Sequence, residues 1–213
     1  MNKQQVEKAI AELKKGTKRK FSQSYDLIIN LKAINPKADS VNLFISLPHP
    51  KPTKPKIAIF SGPELKDQAE KVCDLVLTES DFSKYSDAKL IKKLAQEYDY
   101  FIAQANLMAK VAQIFGKVLG TKGKMPNPKL GCVVPPNANL GPLVKKLQGT
   151  VKLSSNRATN LQCMIGKEDQ SEDHIVENAM AVYTATVKQL PQENQNIKNV
   201  QIKLTMGKPI KIQ

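Results

Sequence analysis

Apolar and polar positions alternate along this chain in two styles, and the change of style divides it. Val6, Ile10 and Leu13 recur at helical spacing, which predicts an amphipathic helix over 2–15 that stops at Gly16 with Lys14 and Lys15 in its last turn. Leu27, Ile29 and Leu31 then alternate with polar residues over 25–31, a strand with one buried face. Asn35-Pro36 turns the chain, and Val41, Leu43, Ile45 and Leu47 alternate again. Towards the other end Leu161, Cys163 and Ile165 form a third such strand. A long helix capped by Ser171 follows, burying Ile175, Ala179, Val182, Thr186 and Leu190 until Pro191 ends it. Val200, Ile202 and Leu204 form the last alternating strand, followed by the turn Thr205-Met206-Gly207-Lys208-Pro209.

The middle of the chain reads differently. Ile57–Phe60 is a continuous apolar run, as in a strand covered on both faces. Short apolar runs recur at 75–77, 100–103 and 132–134, and helical patterns at 63–72, 87–97, 107–119 and 139–147 separate them. Strand and helix alternating four times predict a parallel sheet with helices on its faces, a compact Rossmann-like domain. Four prolines, Pro48, Pro50, Pro52 and Pro55, make 48–55 a stiff connector, and 148–155, with Gly149 and two serines, reads as a return connector. The expected fold is an α+β terminal domain, an antiparallel sheet with two helices, built from residues 1–52 and 153–213. An α/β domain at 56–150 is inserted in it, and the two connectors form a hinge.

Charge adds the class of partner. The chain carries 33 basic and 19 acidic residues, a net charge of +14 and a pI near 9.6, which points to nucleic acid. Arg19 and Arg157 are the only arginines. Lysine neutralises phosphate but reads base edges less specifically, so backbone and shape recognition is expected. Five of the seven residues from 14 to 20 are basic, and Phe21 follows them. By itself Phe21 reads as a core aromatic opening the next strand; the other reading is a ring packed on RNA sugar or base beside phosphate-binding lysines.

Candidate chemistry narrows the function further. Cys73, Cys132 and Cys163 are far apart and form no C-x-x-C, which supports neither a zinc ribbon nor a disulfide framework and fits small core residues in a reducing, intracellular compartment. His49, in the proline-rich connector, and His174, in the first turn of a helix, read as surface histidines without a paired acid. The carboxylates fall mostly on helix faces among lysines. No catalytic group, metal site or cofactor is expected. The first middle strand leads into Ser61-Gly-Pro-Glu64, and the chain holds neither G-x-x-x-x-G-K-[ST] nor G-x-G-x-x-G, so a nucleotide-binding enzyme built on the Rossmann-like domain lacks its phosphate loop. The first residues do not form a signal peptide, no apolar run has membrane-spanning length, and no membrane partner is expected.

The stretch Gly116–Gly131, G-K-V-L-G-T-K-G-K-M-P-N-P-K-L-G, is the most unusual in composition: four Gly, two Pro, four Lys and no acid. It reads as a cationic loop with a fixed turn at Met125-Pro-Asn-Pro128, suited to a polyanion or merely solvated. This stretch resembles the fingerprint of the large-subunit ribosomal protein L-one family, the proteins of the mobile ribosomal stalk. The resemblance extends over nearly the whole chain and is strongest at 116–131, 20–24 and 205–209. Lys208 between Gly207 and Pro209, the chain length and the short proline-rich connector are similar to archaeal members.

The resemblance implies two domains, the second inserted into the first, with hinge motion between them. It implies a monomer within the ribosome, cytoplasmic, that binds large-subunit ribosomal RNA, shapes the stalk near the exit site, meets exit-site tRNA there and represses translation of its own messenger RNA. It places RNA contacts on Lys20, Phe21 and Ser24 after the first helix, on Thr205, Met206 and Gly207, on Arg157, and on the acidic position Asp26. Ser24 stands where Thr is common, and Asn156 where Asp is frequent in bacterial members. A secondary RNA-facing loop would use Lys117, Lys122, Lys124 and Lys129. A non-specific cationic RNA chaperone is the other nucleic-acid reading, and it predicts binding indifferent to RNA fold.

Overall fold

The computed structural model describes residues 1–16, 19–34, 41–85, 87–155 and 158–212. Along the chain run α1 (Lys3–Lys14), β1 (Ser24–Leu31), β2 (Asn42–Ser46), β3 (Ile57–Phe60), α2 (Lys66–Val72), β4 (Leu75–Leu77), α3 (Ala88–Glu97), β5 (Tyr100–Gln104), α4 (Met108–Thr121), β6 (Val133–Val134), α5 (Leu140–Gln148), β7 (Thr150–Ser154), β8 (Asn160–Lys167), α6 (Glu172–Gln189), β9 (Ile197–Leu204) and β10 (Ile210–Lys211). The chain divides into two compact units, Met1–Thr53 with Gly149–Gln213, and Lys54–Gln148. The expected turn at Asn35-Pro36 lies outside the described residues.

The first unit is built on an antiparallel sheet in the order β10-β9-β1-β8. β1 alternates buried and half-buried residues without exception, so one face of the sheet is core. Tyr25, Leu27 and Ile29 pack there with Leu161, Ile165, Val200 and Ile202, under Val6, Ile10 and Leu13 of α1 and Ile175, Ala179 and Val182 of α6. This is the α+β architecture that the alternation predicted. Residues 150–154 depart from expectation. They form β7, antiparallel to β2 from Asn42↔Ser154 to Ser46↔Thr150, where a connector was expected. Gly149 and the serines mask a period-two pattern, in which Val151 and Leu153 turn inward and extend the core. Ser171 occupies the N-cap of α6 with an extended backbone, but its side chain makes no capping bond. Glu172 and Asp173 in the first turn suit the positive end of the helix instead.

The chain leaves this unit along α6 under tight control. Asn178 is fully buried. Its carboxamide accepts from His49 N–H at 3.0 Å and donates to His49 C=O at 2.9 Å and to Ile165 C=O at 2.8 Å. Gln170 adds a bond to Pro50 C=O at 3.0 Å. His49 is not the isolated surface histidine its sequence context suggests. Its ring stacks on His174 with centroids 3.8 Å apart, and its Nε2 lies 2.6 Å from Glu177 Oε2. The bond with His49 holds the Glu177 carboxyl below the ordinary carboxylate range. His49 and Glu177 are 128 residues apart, so no local pattern could pair them.

The second unit holds a parallel sheet in the order β4-β3-β5-β6, with β3 buried throughout. Phe60 anchors its core against Phe115 (centroids 4.8 Å), Phe82 (5.8 Å) and Phe101 (5.9 Å). Short 3-10 turns at Pro63–Leu65 and Ala105–Leu107 precede α2 and α4, so these helices begin later than the apolar spacing suggests. Strand order reverses between β3 and β5, where doubly wound folds hold ligands. Here Gln104, at the end of β5 and only 3% exposed, accepts the Gly62 N–H at 2.7 Å. A Cβ added at Gly62 would come 2.9 Å from Gln104 Oε1. The chain's own carboxamide therefore closes against the backbone at the reversal point.

An acid-sensitive turn lies after β4. Asp81 accepts from Lys84 Nζ at 2.7 Å, from Thr78 Oγ1 at 2.7 Å and from Thr78 N–H at 3.1 Å, which hold its carboxyl at about 2 against an ordinary 3.8. A depressed carboxyl stabilises the fold fully above its unfolded value and loses that contribution as pH falls through the folded one. Asp81→Asn is therefore expected to flatten the stability of this unit between pH 3.8 and about 2 while leaving that window's neighbour above pH 5 merely offset, as read by thermal melts across pH.

Candidate nucleic-acid interface

Most of the sequence-predicted contacts come together at one end of the antiparallel sheet. β1 begins at Ser24 and β9 ends at Leu204, side by side, with Tyr25 opposite Leu204. Beyond Leu204 the chain reverses in a turn closed by Gly207 N–H on Leu204 C=O at 2.9 Å. The turn is stitched to the start of β1. Thr205 N–H donates to Ser24 C=O at 3.1 Å, and Ser24 N–H donates to Thr205 Oγ1 at 3.1 Å. Met206 N–H donates to Gln23 Oε1 at 3.1 Å. Gln23 is itself buried and reciprocally bonded to Glu168, its N–H to Oε2 at 2.9 Å and its C=O from Glu168 N–H at 3.0 Å.

These bonds leave two large apolar side chains in solvent, Phe21 at 53% and Met206 at 61% exposure. The structure thus overturns the reading of Phe21 as a core aromatic. β1 starts only at Ser24, and Gln23, not Phe21, is the buried residue of this segment. Arg19 and Lys20 are exposed just before the ring. Lys14, at the head of the basic run, is drawn away to Glu172 at 2.5 Å.

Thr205 has its hydroxyl engaged with Ser24, so it fixes the turn more than it offers a free group. Gly207 has a structural reason as well: an added Cβ would lie 3.2 Å from Leu204 Cβ. Positive φ among the described glycines belongs to Gly123 and Gly131 instead, so the bend at Gly207 is made without left-handed backbone. Asp26 faces away from the core beside Lys203, its register partner on β9. Burial pushes its carboxyl up, and Lys203 opposes the shift. Arg157 and Asn156 lie outside the described residues.

The sequence did not single out the acids behind this edge. Glu168 holds Gln23, and Asp169 accepts from Ser22 Oγ at 2.6 Å. Together they pin residues 22–23, and thereby the base of Phe21, to the loop before α6. The phenol of buried Tyr25, which has no hydrogen-bond partner among the described residues, is pushed up to about 12 by burial and then by Glu168 and Glu172. A net-charge count averages these acids away, and only the fold brings them under the basic segment.

In the second unit the glycine-rich stretch is half helix. Gly116 and Gly120 lie inside α4, where an added Cβ would meet nothing within 4 Å, and the irregular path begins at Lys122. Gly131, at φ 78°, ends a 3-10 turn at Pro128–Leu130, a conformation that glycine adopts without strain. Lys117, Lys122 and Lys129 are exposed. Lys124 is not free in the same sense: it donates to Tyr98 C=O at 2.7 Å and lies 3.8 Å from Asp99.

Residues 13–208 match the model described as the ribosomal protein L1p/L10e family. The "Large ribosomal subunit protein uL1" of Nanoarchaeum equitans is 40% identical over 98% of this chain and 97% of its own length. The protein of the same name from Thermoplasma acidophilum is 37% identical over 100% of this chain and 97% of its own length. That of Methanocaldococcus jannaschii is 32% identical over 100% and 96%.

Proposed function

Since the chain belongs to the ribosomal protein L1p/L10e family, a family of structural and not enzymatic proteins, we propose that it is a constituent of the large ribosomal subunit that binds large-subunit ribosomal RNA. The observation that carries this reading is the edge formed by β1 and the turn after β9. Phe21 and Met206 stand exposed there beside Lys20, on a backbone fixed by Ser24, Thr205 and Gln23. Exposed rings and thioethers beside cations suit RNA sugars and unstacked bases, and such contacts persist at salt concentrations that remove phosphate contacts. Lys20, Phe21, Ser24, Asp26, Arg157, Thr205, Met206 and Gly207 form the main site in this reading. Lys117, Lys122 and Lys129 of the second unit add weaker phosphate contacts, with Lys124 supporting their loop.

The bound RNA is the stalk element near the exit site. The protein works there as a monomer beside exit-site tRNA in the cytoplasm, its two units hinging where the chain passes between them, near 51–55 and at 148–149. Repression of its own messenger RNA through a similar RNA fold belongs to the same reading. With residues 54–148 replaced by a short linker, the remaining unit is expected to melt cooperatively and keep its RNA affinity within about threefold, since it retains every neutral contact of the site. A disordered or non-binding product would refute this division of labour.

The test of the function is affinity for a folded ribosomal stalk RNA fragment against a scrambled RNA of equal length, across a salt series. Preference for the folded fragment that survives high salt supports the reading. Equal affinity for both, vanishing together with salt, is the result expected of a non-specific cationic chaperone and would overturn it.

A further inference from the structure

The face of the antiparallel sheet turned away from α1 and α6 has an unusual composition. Register places its residues in three rows. Met164, Asp26 and Lys203 form the row nearest the Ser24 edge; Gln162, Ile28, Gln201 and Lys211 form the next; Asn160, Asn30 and Asn199 form the third. The intervening residues Leu27, Ile29, Leu161, Val200 and Ile202 are buried on the opposite face. Five carboxamides thus occupy two adjacent rows, all exposed or half-buried, around a half-buried isoleucine. One pair is linked, with Asn30 Nδ2 donating to Asn199 Oδ1 at 2.6 Å. That bond leaves the Asn30 oxygen and a donor pair on Asn199 for another molecule.

We infer that this carboxamide face is a second RNA-reading surface, continuous with the Ser24–Thr205 edge, which follows the minor groove of a helix in the bound RNA. The inference rests on the RNA-binding reading above and extends it by about 20 Å, six residues of β1 at roughly 3.4 Å each. Three features select this occupant. The face begins on the strand that carries Ser24 and Asp26, so an RNA seated at that edge meets it next. Its cations, Lys203 and Lys211, lie on the β9–β10 side, and its one acid, Asp26, is opposite Lys203. Neutral groups that both donate and accept match the 2′-hydroxyls and base edges of the wide, shallow RNA minor groove. A protein partner would favour aromatic anchors, and these rows contain none.

The experiment uses the full chain, the folded stalk RNA fragment, and the same fragment with 2′-deoxy sugars in its helices. The variant Gln162→Ala with Gln201→Ala changes two side chains on the open face, and its melting temperature is checked against the parent. Its affinity for the ribose fragment is expected to fall about tenfold, with the salt slope unchanged because neutral groups release no counterions. The deoxy fragment is expected to bind the parent more weakly by a similar factor and to penalise the variant little further. Unchanged affinity of the variant, while Met206→Ala still weakens binding, overturns the second surface and leaves the proposed function standing. An altered salt slope overturns it too, since the loss would then be electrostatic. A parent chain without preference for folded over scrambled RNA overturns both readings.

Discussion

Replacing Asn178 by Ala is expected to remove about 3–5 kcal/mol of stability, a large share of what a domain of this size holds. The side chain is fully buried and bonds three backbone groups, His49 N–H, His49 C=O and Ile165 C=O. Ile165 C=O, buried and left without its partner, costs roughly 1–3 kcal/mol, the two half-buried His49 groups cost less each, and the vacated volume adds a cavity cost. Carbonyls keep a second lone pair, which holds the sum towards the lower end. Asn178→Leu separates the two contributions. It refills the volume but restores no bond, so it is expected to remain destabilised by about 2–4 kcal/mol. Urea unfolding gives both values. Full recovery with Leu would mean that packing alone matters at this site. Since Asn178 holds the backbone of His49, limited proteolysis within 48–55 should also accelerate in both variants.

The second large effect concerns affinity. Phe21→Ala and Met206→Ala are each expected to weaken binding of the folded stalk RNA by about tenfold, and together by about a hundredfold, at roughly 1–3 kcal/mol per stacked or apolar base contact. Both side chains are mostly in solvent in the free protein, so stability should stay within about 0.5 kcal/mol of the parent. Thr205→Ala is expected to behave differently. Its hydroxyl accepts from Ser24 N–H, so its loss should weaken binding and also lower stability by about 1 kcal/mol. An equilibrium titration with each variant, paired with its melt, separates a contact residue from one that shapes the turn. Binding unchanged in the Phe21 and Met206 double variant would remove this edge from the RNA site.

The architecture was legible wherever periodicity was strong. Strict alternation in β1 and from Val200 to Leu204 of β9, and the continuous apolar run of β3, announced one sheet covered on a single face and another covered on both. It was not legible at β7, where Val151 and Leu153 provide only two alternating positions between turn-forming residues. The residues of the proposed site came from the family resemblance, and their arrangement was not legible in the sequence. Phe21 has the same letter whether it opens a strand or stands in solvent. What decides is that Gln23 takes the buried place, with Glu168 waiting 145 residues away to receive its N–H. His49 and Glu177 were hidden in the same way, as was the carboxamide face, because cross-strand register sets its rows and no spacing along one strand contains them.

Ultraviolet cross-linking of the full chain to the folded stalk RNA, with the modified peptides identified by mass spectrometry, tests the location of the site most directly. The account predicts cross-links at Phe21 and Met206, reduced by unlabelled folded RNA and not by scrambled RNA. Cross-links confined to 117–129 of the second unit, with the peptides around Phe21 and Met206 unmodified, would contradict it.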